Sequence, residues 1–330
     1  MQTDRRAIEW PTLAVFAATY ALWALATAAF WQISPLLAVL GASLAIAQYS
    51  SLTHEVLHGH PFRSQALSEA LVFPAITVYV PYLRFKDLHL QHHFDPNLTD
   101  PYDDPESNFV DPEAWARLSG AHRAMLRCNN TLAGRMLLGP AISLWALVRG
   151  DLHLLLRGDR RVALGWALHL AGLVPVVGWL LAAGSMPVWA YLVSAYLGWS
   201  LLKIRTYLEH RAHAASRART VVIESRGPLS YLFLNNNFHV VHHMHPGVAW
   251  YRLPALYFGN RAHYLRRNDG YVYRSYAEIF RRHLFRAKDP VPHPIWPVDK
   301  GGGPSQDAAE PRDGTGIVEE RHAGLMAIRQ

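Results

Sequence analysis

Between Glu9 and Glu55 the chain carries no aspartate, glutamate, lysine or arginine, and between Arg161 and Lys203 it again carries none. One passage through a bilayer takes about 20 apolar residues, so each run has room for two. Inside lipid, backbone polar groups must be satisfied within their own segment, which leaves helices. The expected spans run near 11–31 and 34–53, then near 162–183 and 187–202. The predicted fold is therefore all-α and integral to a membrane. Four transmembrane helices form two hairpins, capped by a histidine-rich helical region. The composition agrees, with 51% hydrophobic and only 17% charged residues among 330. A soluble core could bury one such segment, but not two paired runs. Arg5 and Arg6 resemble the start of a signal peptide, yet the apolar stretch behind them continues through two spans.

The charges that remain predict an orientation. The turns near Gln32–Ile33 and Gly184–Pro187 are uncharged. Arg63, Arg84 and Lys86 follow the second span, Arg149, Arg157, Arg160 and Arg161 precede the third, and Lys203, Arg205, Arg211, Arg217 and Arg219 follow the fourth. Basic loops stay on the cytoplasmic side, so both turns should face outward and the histidine-bearing loops inward, as in the inner membrane of a bacterium. The net charge of +7 is then accounted for by flanking loops, and no nucleic-acid partner is expected.

Leu71–Leu83, broken by Pro74 and Pro81, and Leu137–Val148 read as too short to cross and are expected to lie in the interface or to re-enter. Residues 1–10 read as a polar lead, 11–300 as one membrane domain, and 301–330 as a disordered tail opening on Gly-Gly-Gly-Pro. A single cysteine, Cys128, permits neither an intramolecular disulfide nor a cysteine-ligated cluster. No internal repeat or Gly-x-Gly-x-x-Gly fingerprint is present.

Three histidine clusters stand out against this background. They read H-E-V-L-H-G-H at His54–His60, L-H-L-Q-H-H at Leu88–His93 and N-F-H-V-V-H-H-M-H at Asn237–His245. On a helix, His54 and His58 share a face, as do His89, His92 and His93, and likewise His239, His242 and His243. With 19 histidines in the chain, about 0.06 copies of H-x-x-H-H are expected by chance; there are two. Eight imidazoles exceed what one metal uses, so two metals are expected. His60 and His245 fall off the shared faces.

Imidazole suits zinc, copper, iron or nickel. His54-Glu55-Val56-Leu57-His58 is literally H-E-x-x-H, which in a zinc metalloprotease makes Glu55 the general base. A catalytic zinc takes three protein ligands and a water, which leaves the other two boxes without a role. A ferritin-like di-iron bundle needs a second Glu-x-x-His, and the only other copy, Glu319–His322, lies in the tail. A non-catalytic metal-binding membrane protein stays open. The proline-punctuated acidic loop Asp95–Glu106 is either a solvated linker or a source of carboxylates, Asp95 and Asp100 among them, that brace the ligands.

These boxes, placed after paired spans, resemble those of the integral-membrane fatty acid desaturase and hydroxylase superfamily, over most of the stretch from Pro11 to about Phe285. The resemblance implies a non-haem di-iron centre, molecular oxygen as co-substrate, and electrons from a separate donor such as a ferredoxin or a cytochrome b5-like protein with its reductase. It implies a ninth ligand, His210, in R-T-Y-L-E-H at Arg205–His210, with Glu209 and Glu55 as carboxylates beside the ligands. The substrate it implies is an acyl-lipid or acyl-CoA, in which a double bond is made. Carotenoid ketolation or hydroxylation, or hydroxylation of another lipid, is the runner-up.

Overall fold

The computed structural model describes residues 8–296. The tail at 301–330 and most of the N-terminal lead lie outside the described residues. Helices dominate, and the described strands form one two-stranded sheet.

Helix α1 runs Trp10–Ile33 and contains a π-helical turn at Ala26–Phe30. Ser34 ends it in an extended conformation, and its side chain then caps the next helix by accepting from Leu37 N, with Pro35 at the first helical position. That helix, α2, runs Pro35–Leu57 and so carries the first histidine box on its last turn. Gly59, at φ +94°, turns the chain out of it. Pro81 precedes α3, Tyr82–Phe94, which holds the second box. After the acidic loop come α4, Leu132–Leu156, α5, Arg160–Ala182, and α6, Val188–Thr206. The third box forms the short helix α7, His239–Met244. Strand β1, Val222–Ile223, pairs in parallel with β2, Val272–Tyr273, and ties the approach to α7 to the C-terminal part of the chain.

Among the described residues, four helices are long and apolar enough to cross a membrane: α1, α2, α4 and α5. The first three expected spans correspond to α1, α2 and α5. The expected fourth span lies within α6, which is 19 residues long; its tryptophans, tyrosines and serines, with Lys203 and Arg205, leave it less apolar than those four. Leu137–Val148, expected to be too short, is the middle of the 25-residue α4. Charges at its two ends are accommodated within the helix: Arg135 donates to Asn129 O and Asn108 Oδ1, Arg149 is exposed, and Asp151 pairs with Arg84 at 2.8 Å. Leu71–Leu83 stays largely irregular. Its carbonyls are satisfied from the bundle, with Tyr49 donating to Val72 O and Tyr191 to Ile76 O.

Small residues let α2 and α6 pack closely. A Cβ at Gly198 would lie 2.8 Å from Ile46 Cγ2 and 3.0 Å from Ser43 O. Because the second atom is backbone, the helices would have to part. Gly198→Ala is expected to cost about 1–3 kcal/mol, read as a lower thermal midpoint in detergent; an unchanged midpoint would contradict this packing.

Candidate metal centre

Each box is carried by a helix end. His54 sits in the last turn of α2 and His58 caps it; His89, His92 and His93 occupy the second half of α3; α7 consists largely of the third box. Helix α7 is held by β1, since Val240 N donates to Val221 O and Ile223 N donates to Asn237 O. His210 follows α6 by a few residues and is fixed by a bridge to Thr220 and by Lys288 Nζ, which donates to its carbonyl.

The nine expected ligands gather into two adjacent groups. His54, His58, His89, His93 and His242 form one, and His92, His210, His239 and His243 the other, with donor atoms in each group within 4.8 Å of one another. The second and third boxes are therefore split. In each, the i, i+4 pair goes to one group and the remaining histidine to the other, because residues four apart share a helix face more closely than the third residue does. The groups abut where the His93 and His243 rings stack at 4.2 Å, while within the first group His242 Nε2 comes 3.1 Å from His93 Nε2.

What the rings lack is as informative as what they touch. His89 Nδ1 is 2.6 Å from Glu106 Oε1, and His92 Nδ1 is 2.7 Å from Asp104 Oδ1. A carboxylate can only accept, so the ring proton is on Nδ1 and each Nε2 is directed inward. The buried Nε2 atoms of His54, His58 and His89 have no hydrogen-bond partner. In the second group, His210 Nε2 lies 3.0 Å from His92 Nε2 and 3.2 Å from His239 Nε2. A metal–nitrogen bond of about 2.0–2.1 Å places ligand atoms roughly 3–4 Å apart. Both groups fit a metal ion, and the orphaned nitrogens need one.

Electrostatics favour the neutral rings a metal requires. Burial, then the neighbouring imidazoles, hold His210, His239, His242 and His243 well below the ordinary histidine range, and His93 at about 3. His92 is the exception. Burial alone would lower it, but Glu106 and Asp104 outweigh burial and push it up to about 9. Burial likewise works to raise Glu106, yet His92 and His89 hold its carboxyl well below the usual range.

Not every expected carboxylate braces a ligand. Glu55 Oε1 is 3.5 Å from His54 Nδ1, while its other oxygen accepts from Trp250 N. Glu55 is therefore not poised as a base over a three-histidine zinc, and His54 and His58 belong to a group of five donors rather than three. Glu209 Oε1 is 3.0 Å from Arg205 Nε and 3.8 Å from His239 Nδ1. Asp95 and Asp100 instead fold the loop, accepting from the backbone of Asn97 and of Tyr102 and Asp103. Their place is taken by Asp104 and Glu106, from the same acidic loop. The third brace, Asn236 Oδ1 at 3.0 Å from His239 Nδ1, sits in Asn235-Asn236-Asn237, a polar run just before the box that was open to notice. His60 pairs with Glu9 at 2.7 Å, outside both groups.

A family model described as fatty acid desaturase matches residues 29–277, a stretch that includes all nine histidines. No curated protein matches the chain.

Proposed function

The chain belongs to the fatty acid desaturase family, and on that premise we propose that it is a membrane-bound di-iron enzyme that introduces a double bond into an acyl chain. The observation that carries this reading is the pairing of two abutting imidazole groups with a large apolar cavity of about 1040 Å³, lined also by Glu106, Glu209 and His210. Iron held by the nine histidines would supply the activation of oxygen. The overall balance removes two hydrogens from adjacent carbons, takes two electrons and two protons from outside, and reduces O₂ to two waters. The external electrons come from a separate donor, a ferredoxin or a cytochrome b5-like protein.

The chain's own residues do the positioning. Glu106, Asp104 and Asn236 fix the rings of His89, His92 and His239 by their outer nitrogens. The cavity holds the hydrocarbon against the centre and keeps water from it. Lipid and pigment profiling of a host expressing the protein tests the reading, together with iron analysis of the purified chain. New monounsaturated acyl chains and about two irons per chain are expected. Hydroxylated acyl chains or oxygenated carotenoids would replace desaturation by oxygenation, and one zinc with peptidase activity would overturn the family-based reading.

For orientation, we read α1, α2, α5 and α6 as the crossing helices and α4 as lying along the interface. Support comes from where α4 is tied. Near its start Ala133 N donates to Leu284 O, and near its end Asp151 pairs with Arg84 on the same helix as the second box. Both ties are on the histidine side. The uncharged tips also meet, since Ser185 N and Met186 N donate to Thr27 O in the π-turn of α1. With the basic loops inside, cysteines placed at Gln32 and Ser185 should react with an impermeant maleimide in sealed cells, and one at Arg63 should not. Labelling at position 63 alone would invert the orientation.

A further inference from the structure

The lining of the same cavity is of two unlike kinds. One part is apolar, with Phe73, Leu83 and Leu168 from α3, α5 and the irregular stretch before α3. The other lies between the start of α4 and the end of α6, where Asn108, Arg135, Lys203 and Tyr207 face it. The stems of Arg135 and Lys203 converge over Gly139, whose missing Cβ would lie 3.0 Å from Arg135 Cδ and 3.4 Å from Lys203 Cδ.

The charges around the cavity pair off, except here. Arg84 has Asp151, Arg205 has Glu209, Lys288 has Asp289 and Lys86 has Glu69. Glu106 and Asp104 are taken by His89 and His92. Arg135 bonds only neutral groups, donating to Asn129 O and Asn108 Oδ1, and Lys203 Nζ donates to Ser143 Oγ at 2.7 Å. Neither makes an ion pair among the described residues; Glu106 and Glu209 act on Lys203 only from longer range. Arg135 is 4% exposed. Two cations in a largely apolar chamber are costly unless an anion joins them.

We infer that Arg135 and Lys203 form the subsite for an anionic head group, so that the enzyme's substrate is a single-chain amphiphile bearing a carboxylate or phosphate at one end. This rests on the reading of the cavity as the substrate site. The hydrocarbon then lies along the apolar lining of Phe73, Leu83 and Leu168, and the oxygens of the head take the free donors of the guanidinium and the ammonium. An amphiphile so charged is distinguished from a neutral ester of equal length before any chemistry occurs.

Binding to the purified, iron-loaded full chain tests this without turnover. Saturable fluorescence of cis-parinaric acid is compared with that of its methyl ester at pH 8. The acid is expected to bind about tenfold tighter, the effect of a hydrogen bond to a charged group. Lys203→Met should bring acid and ester to within about twofold, with ester affinity unchanged as proof that the chamber is intact. Displacement by dodecanoate against dodecyl phosphate separates a carboxylate head from a phosphate head, and preference for either supports the subsite. Equal binding of acid and ester by the unaltered protein overturns it. So does a preference that survives in both Lys203→Met and Arg135→Gln, or the absence of saturable binding. Iron content and lipid products, measured on the same preparation, show separately whether the desaturase reading stands.

Discussion

His242→Ala is expected to strip metal from the protein and to leave no measurable product. His242 belongs to the five-histidine group and touches the other ligands on several sides. Its ring centroid is 4.6 Å from that of His54 and 4.7 Å from that of His58, and its Nε2 lies 3.1 Å from His93 Nε2. Removing it deletes one donor and opens a gap among four others that must close on one ion. Loss of a bracing residue behind a ligand already costs about 10–100-fold in metal affinity or activity, so loss of the ligand should exceed that. Metal per chain, measured beside product formation from membranes of equal protein content, checks the expectation. His60→Ala is the contrast, because its Nδ1 bonds Glu9 rather than the centre; it should keep its iron. Near-full metal and turnover in His242→Ala would show that the two groups are not the ligand set.

The second large effect is expected at a carboxylate. Glu106→Ala removes the partner that fixes the His89 ring at 2.6 Å. Metal affinity should fall about 10–100-fold, measured by competition with a chelator. Glu106→Gln should recover much of the loss, since its side-chain carbonyl still accepts from Nδ1–H. Asp100→Asn should leave metal affinity near the original value, because Asp100 serves the backbone of Tyr102 and Asp103. Equal losses in the alanine and glutamine variants would point to charge rather than ring orientation. A loss in Asp100→Asn as large as in Glu106→Ala would erase the distinction drawn between the two carboxylates.

Much of this protein is settled along the chain itself. Charge-free runs have to become apolar helices because lipid offers their backbone no other partner. Histidines three and four apart must share a helix end, whatever the rest of the chain does. Local geometry therefore makes α1, α2 and α5 legible, and with them the eight box histidines. His210 is a different case, visible only through resemblance, since nothing in R-T-Y-L-E-H marks one histidine as a ligand.

Tertiary structure decided what depends on partners distant in sequence. Arg135 marks one end of an apolar stretch when read alone and Asp151 lies beyond the other, and both become interior to α4 once Asn108 and Arg84 receive them. The acidic loop advertises its carboxylates without saying which ones turn inward, because that follows from how Asp95 and Asp100 fold the loop before Asp104 and Glu106 reach His92 and His89. The division of nine imidazoles into two groups is of the same kind. Sequence spacing fixes which rings share a face, but only the packing of α2, α3 and α7 decides which faces meet.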